Sequence, residues 1–248
     1  MSLYSIIDIS STSISMIIAQ ETGGDPVVFD RDRQYISLLS YLEGTHLTPR
    51  GIEKAVGTIR SLQDKAIREG VSSCHIIGTA SLRHIDNLEE IQTQIASQTG
   101  LGLIILDGTM EAYCDAIANS QYRNCDRPVL IDIGGASVEI CDLSKQRRDE
   151  MNFLDFGAIT LNQRFVSGMQ PDKDEAKKIK KYLRKQLETL PFPASTSFNT
   201  AILVGATNKA LYEFHQDLFC STEVGNAIQR FSTKELKHLA TYLVEAPD

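Results

Sequence analysis

The sequence lacks most of the patterns that announce a common active site. It has no CxxC pair: the five cysteines, Cys74, Cys114, Cys125, Cys141 and Cys220, are odd in number and scattered. That excludes a zinc ribbon or a thiol-redox pair and fits a reducing, cytoplasmic setting. No Walker loop and no GxGxxG turn occurs, so nucleotide binding of the P-loop or Rossmann kind has no support. The five histidines never stand at H-x-x-x-H spacing and are assigned no metal. Basic residues are the minority, 25 against 32 acidic, for a formal net charge of -7. A surface of that sign does not attract nucleic acid or an anionic membrane, so any polyanionic ligand must meet a local positive site. A leader is missing too: Met1 to Gln20 is apolar, but it has no basic start and is interrupted by Asp8, so it reads as folded structure.

What is present is ordinary globular material, 248 residues of which 42% are hydrophobic and 23% charged, enough for one large domain or two modest ones. Short apolar runs at Tyr4 to Ile9 and Ile14 to Ala19, then Pro26 to Asp30, predict a hairpin and a third strand. Thr48 and Pro49 open a helix that ends near Gly70. A strand at Cys74 to Ile77 follows. Asp86 with Glu89 is a capping-box pattern for a helix to about Ser97, Leu101 to Leu106 reads as a buried strand, and a helix runs from Met110 to about Ser120. The order β-β-β-α-β-α-β-α predicts a mixed sheet with helical crossovers.

A boundary at Asn124 to Arg127 divides the chain into 1–123 and 124–248. The second part opens as the first does, with strands at Val129 to Ile133, Val138 to Leu143 and Asp149 to Leu154. Asp172 and Glu175 cap a basic helix to about Leu187, whose buried stripe is Ile179, Tyr182, Leu183 and Leu187; its lysines form a solvated face or line a route for a long polyanion. A link at Pro191 and Pro193 leads to a strand at Ala201 to Val204, and Ser232 with Glu235 caps a last helix to Val244.

The repeat is local as well as architectural. Asp8-Ile9-Ser10-Ser11-Thr12-Ser13-Ile14 and Asp132-Ile133-Gly134-Gly135-Ala136-Ser137-Val138 share one pattern, half a chain apart. In each, an apolar strand ends in an acid, turns through small residues and returns as an apolar strand. Such a turn offers backbone N–H groups to an anion, and the hydroxyls of Ser11, Thr12, Ser13 and Ser137 add donors. An aspartate there repels phosphate directly but suits a divalent cation that bridges to phosphate oxygens. One copy alone reads as a hairpin with an exposed acid; two, each opening a β-β-β-helix series, read as a facing pair of phosphate cradles.

These residues resemble the exopolyphosphatase and guanosine pentaphosphate phosphatase (Ppx/GppA) family of the actin-like ATPase superfold, from Ile6 to about Glu245. The match runs through Asp8 to Ser13, Thr79-Ala80-Ser81-Leu82-Arg83 with Asn87, and Gly108-Thr109-Met110-Glu111-Ala112. It continues through Ile131 to Glu139, Phe156-Gly157-Ala158 and the turn Gly205-Ala206-Thr207. The resemblance implies an α/β protein of two actin-like (ribonuclease H-like) domains with mixed sheets, flanking helices and a cleft between them. It implies that Glu111 is the catalytic base and that Asp132, Glu139 and Asp8 organise Mg²⁺ or another divalent cation. Phosphates then fall to Ser11, Thr12, Ser13, Arg83, Gly134, Gly135, Ala136, Ser137, Gly205 and Thr207.

The departures are Ser10 for a glycine, Thr12 for asparagine, Ser15 where arginine is frequent, Ala80 for serine, Met110 for a glutamate, and Ala136 and Val138 for glycine and threonine. If position 10 needs a positive φ, serine there costs about 1 to 2 kcal/mol. Relative to the family pattern the chain stops short by a strand and a helix, so the second sheet's edge is expected to be short or covered by a partner, as in a homodimer. The function implied is metal-dependent hydrolysis of a terminal phosphoanhydride in polyphosphate or a phosphorylated guanine nucleotide, with no nucleic acid or membrane partner. The alternatives are a non-catalytic phosphate- or nucleotide-binding sensor or scaffold of the same family, and an actin-like small-molecule kinase binding ATP near Gly205 to Thr207.

Overall fold

A computed structural model describes residues 2–192, 197–219 and 232–245; Pro193 and Cys220 lie outside them. The chain divides into two compact units, Met1–Glu111 and Ala112–Asp248. Each is built around one sheet.

In the first unit, β1 (Leu3–Ile9), β2 (Ser13–Gln20) and β3 (Val27–Tyr35) form an antiparallel meander. β3 outruns the expected end at Asp30 because Asp30 and Asp32 reach Lys65 of the following helix at 2.8 and 2.9 Å, tying the strand down. A short hairpin, β4 (Leu42–Glu43) and β5 (His46–Leu47), precedes α1 (Pro49–Arg68). The Thr48 hydroxyl accepts from Gly51 N, so the predicted cap forms. Then come β6 (Ser73–Gly78), α2 (Ala80–Arg83), α3 (Leu88–Thr99) and β7 (Leu103–Ile105). β6 and β7 add to β1 in parallel, giving the order β3-β2-β1-β6-β7. The period-2 alternation of β1 and β2 buries Ile7, Ile9, Ile14, Met16 and Ile18 against Ile52, Val56, Ile59 and Leu62 of α1.

Two expectations fail here. Asp86 does not cap α3: its carboxylate takes the Thr45 hydroxyl at 3.0 Å and the His46 ring at 2.8 Å, and Asn87 becomes the N-cap position. The strand predicted over Leu101 to Leu106 is shorter and only partly buried, since β7 is the sheet's edge and leaves Ile104 exposed.

After α4 (Gly108–Ala118), the second unit repeats the plan with β8 (Pro128–Ile133), β9 (Val138–Asp142) and β10 (Asn152–Leu154). β10 starts three residues late because Arg148–Glu150 winds into a 3₁₀ turn capped by Glu150. α5 (Ala158–Phe165) and α6 (Lys173–Leu187) follow. The Asp172 cap forms as expected, with 2.8 and 2.7 Å bonds from Asp174 N and Glu175 N. Tyr182 and Leu183 pack on the sheet, but Leu187 at the helix end is exposed. β11 (Thr200–Val204) pairs with β8 in parallel, giving β10-β9-β8-β11, and α7 (Gly205–Phe219) and α8 (Thr233–Glu245) complete the unit. The Ser232 and Glu235 capping box closes α8. Among the described residues β11, five residues long, has no second neighbour, and no helix is long and apolar enough to cross a membrane.

Candidate functional site

The two strand-turn-strand copies fold alike. Ser10 N donates to Ser13 O at 2.9 Å, and Gly134 N to Ser137 O at 3.0 Å. Register extends the likeness: Asp8 lies across from Ser15, and Asp132 across from Glu139. On the parallel side, Ile9 pairs with Gly78 at the end of β6, while Asp132 pairs with Val204, the residue before Gly205. The repeat therefore extends beyond the two turns to the glycine that leads from the parallel strand into a helix. Neither Ser10 nor Gly134 has a positive φ, so the strain considered for serine at position 10 does not arise.

What holds each turn differs. In the first, the Ser10 hydroxyl donates to Ser13 O at 2.9 Å and accepts from Ser13 N at 3.3 Å, so a side chain closes the loop. Ser11 and Ser13 are buried while Thr12 is exposed. In the second, the N–H groups starting α5 bind the turn's carbonyls: Ala158 N to Gly134 O at 2.9 Å, and Ile159 N and Thr160 N to Gly135 O at 3.0 and 3.2 Å. A trans peptide points its N–H opposite to its C=O. With both carbonyls turned to α5, the amides of Gly135 and Ala136 point away from it, as an anion cradle requires. Gly157 makes this packing possible, because a β carbon there would overlap the backbone of Gly134, Gly135 and Ala136.

Beside the first turn, the Asp8 carboxylate is largely buried, and its Oδ1 has no hydrogen-bond partner. Burial pushes its pKa up to about 6, against the pull of Arg33. On the same sheet, α2 and α4 bring together two more expected residues: Arg83, nearly buried, forms an ion pair with Glu111 and donates from Nε to Leu106 O at 3.2 Å. Asn87 proves to be a clamp, bonding both N and O of Leu47 at 3.0 Å.

In the second unit, alternation sends Leu130 and Asp132 of β8, and Glu139 and Cys141 of β9, to one face of the sheet. α4 covers that face with Ala112 and Ala116, both fully buried. Asp115 of α4, absent from the expected site, thereby joins Asp132 and Glu139: one carboxylate oxygen of each lies within 4.8 Å of the others. The only sequence sign of it is the spacing of four from Glu111, which places both acids on one side of a helix. Burial raises the pKa of Asp132, and the Cys141 thiol is pushed up to about 12, chiefly by burial and further by Asp115 and Glu139; Cys141 is thus an inert core thiol.

Gly205, expected in a turn, instead begins α7 with φ +86° and faces Asp132, where a β carbon would overlap the carboxylate. Thr207 lies in the first turn of α7. Asn208, overlooked in the sequence, is buried and donates to Ile131 O at 3.0 Å and Val204 O at 2.7 Å, binding β8 to β11.

Two units, each a mixed sheet opened by a strand-turn-strand and followed by a parallel strand leading into a helix, define the actin-like class. The exopolyphosphatase of Cytophaga hutchinsonii shares this fold with a TM-score of 0.78 at 17% identity, over 98% of this chain and 80% of its own. The Aquifex aeolicus PPX-GPPA enzyme does so at 0.70 and 21%, over 89% and 73%. The Ppx/GppA phosphatase family model matches residues 17–246, and the chain belongs to that family. In sequence it is 22% identical to Exopolyphosphatase 1 of Mycobacterium tuberculosis over 186 residues, 73% of this chain and 54% of that one. To an uncharacterised Streptomyces coelicolor protein it is 25% identical, over 74% and 56%. The chain spans about half the length of these curated relatives.

Proposed function

We propose that the chain is a divalent-cation-dependent phosphoanhydride hydrolase of exopolyphosphatase type, removing the terminal phosphoryl group of inorganic polyphosphate or of a guanosine pentaphosphate-like nucleotide. The observation that carries this reading is the Arg83–Glu111 ion pair. The residues matched to the family's phosphate-binding arginine and water-activating base are side by side.

In this reading Glu111 takes a proton from water as the water oxygen attacks the terminal phosphorus; the P–O bond to the next phosphate breaks and the shortened chain leaves with its electrons. Arg83 offers a planar fork suited to phosphoryl oxygens, and its hold on the carboxylate fixes where the base points. The turns at Ser11 to Ser13 and Gly134 to Ser137, with Gly205 and Thr207, bind further phosphates.

The second unit fits a hard divalent cation: it offers carboxylate oxygens at close spacing, and Gly205 lets the Asp132 carboxylate sit where a β carbon would exclude it. Asp132 and Glu139 would hold the cation, and Asp8 is assigned the same duty from the first unit. When bound, the cation neutralises charge on phosphoryl oxygens as a Lewis acid. A reducing cytoplasm goes with this reading, since none of the four described cysteines is in a disulfide.

The test is phosphate release by the purified protein with Mg²⁺ across polyphosphates and guanosine phosphates, beside Glu111→Ala. We expect the variant to lose at least about 100-fold in rate, the usual scale of general-base catalysis. No release from any substrate, or an unchanged rate in Glu111→Ala, would overturn the proposal.

A further inference from the structure

We propose that Asp115 is a third protein ligand of the divalent cation, beside Asp132 and Glu139. This deepens the reading above and rests on it for the presence of a cation. Asp115 lies three residues beyond the Gly108 to Ala112 match, so the family motif gives it no role.

Its placement follows from packing. Ala112 and Ala116, one turn apart and fully buried, let α4 lie close on the sheet face that carries Asp132 and Glu139. Asp115, next to Ala116 and three residues from Ala112, is carried to the same face.

The spacing fits a shared ion. Two oxygens on one cation can be no farther apart than twice the metal–oxygen distance, about 4.2 Å for magnesium and about 4.6 to 5.2 Å for calcium. The Asp115, Asp132 and Glu139 oxygens all lie within 4.8 Å of one another, a bound inside the upper end of the calcium range and somewhat wider than the magnesium limit. Three carboxylates at this spacing repel one another when ionised, and a cation among them removes that repulsion. Gly205 lets the Asp132 carboxylate pack where a β carbon would otherwise stand, so the lack of a side chain there sets where that ligand sits.

The experiment is calorimetric titration of the whole protein with Mg²⁺ and with Mn²⁺, comparing wild type, Asp115→Asn, Asp115→Glu and the control Asp142→Asn. Asp142 lies on β9 outside the group and accepts from Ser144. We expect Asp115→Asn to weaken binding by more than about tenfold, since loss of even an outer-sphere partner costs 10- to 100-fold. Asp115→Glu should recover part of the loss, and Asp142→Asn should match wild type. Recovery by Glu and not by Asn identifies ligation and not packing, whatever the metal-free stability of the Asn variant. Equal weakening in both Asp115 variants, no weakening in Asp115→Asn, or no divalent-cation binding by wild type overturns the assignment. Asp115-dependent binding without phosphate release would remove the hydrolase and keep the ligand. Release with unaltered binding in Asp115→Asn would do the reverse.

Discussion

The two turns, at Ser10 to Ser13 and at Gly134 to Ser137, have one hydrogen-bond skeleton and two different supports. Turn one is closed from within by the Ser10 hydroxyl, and the acid beside it, Asp8, faces Ser15 across the hairpin. Turn two is braced from outside by the first amides of α5, and its acid, Asp132, faces Glu139. Serine in place of glycine at position 10 therefore adds a side-chain brace to the shared backbone bond without backbone strain. The same comparison shows why carboxylates gather at turn two: there the cross-strand partner is a glutamate, and α4 delivers a third acid.

The difference can be broken first at Gly157. A methyl group there overlaps the backbone of Gly134, Gly135 and Ala136, so Gly157→Ala should destabilise the protein by about 3 kcal/mol or more, the upper range for overpacking, read as a drop in denaturant midpoint. Turn one has no counterpart to this dependence.

Asp8→Asn should act in the opposite direction. The Asp8 carboxyl titrates near 6 in the folded protein against 3.8 as its ordinary value, so the native state carries an ionisation penalty above about pH 6. That penalty amounts to no more than about 3 kcal/mol. It is relieved as pH falls from 6 toward 3.8, because the folded protein then takes up the proton first. The variant should melt higher than wild type at pH 8 without added metal, and the gain should vanish near pH 4. An equal gain at both pH values would show that burial of the charge is not its cause.

Gly205→Ala should cost about 1 to 2 kcal/mol for the left-handed backbone, and it should weaken cation binding as well, since the new methyl displaces Asp132. The smallest effect is expected at Ser10→Ala, about 1 kcal/mol for the lost internal bonds, measured by melting temperature and with cation affinity unchanged.

Much of the fold was legible because its signals are local. Short apolar runs marked β1, β2, β8 and β9, and the caps at Thr48, Asp172 and Ser232 each formed where a short side chain had only its own helix to serve. Asp86 misled because Thr45 and His46, some forty residues earlier, claim its carboxylate. Ile104 misled because an edge strand and a central one look alike in a short apolar run. At the site, the motif residues could be read one at a time, but their meetings could not. Arg83 reaches Glu111 only when the segment after β6 folds beside the segment after β7, and Asp115 reaches Asp132 only when Ala112 and Ala116 pack against β8 and β9. Asn208 escaped notice because a buried amide clamping two strands has no sequence signature.

The brace on turn two also sets how that region exchanges hydrogen with solvent. The first amides of a helix ordinarily lack a partner within it and give up their hydrogens quickly. Those of Ala158, Ile159 and Thr160 are bonded to Gly134 and Gly135, so they open only when the turn itself opens. Their deuterium uptake becomes a clock for the integrity of a loop whose own outward amides carry no such record.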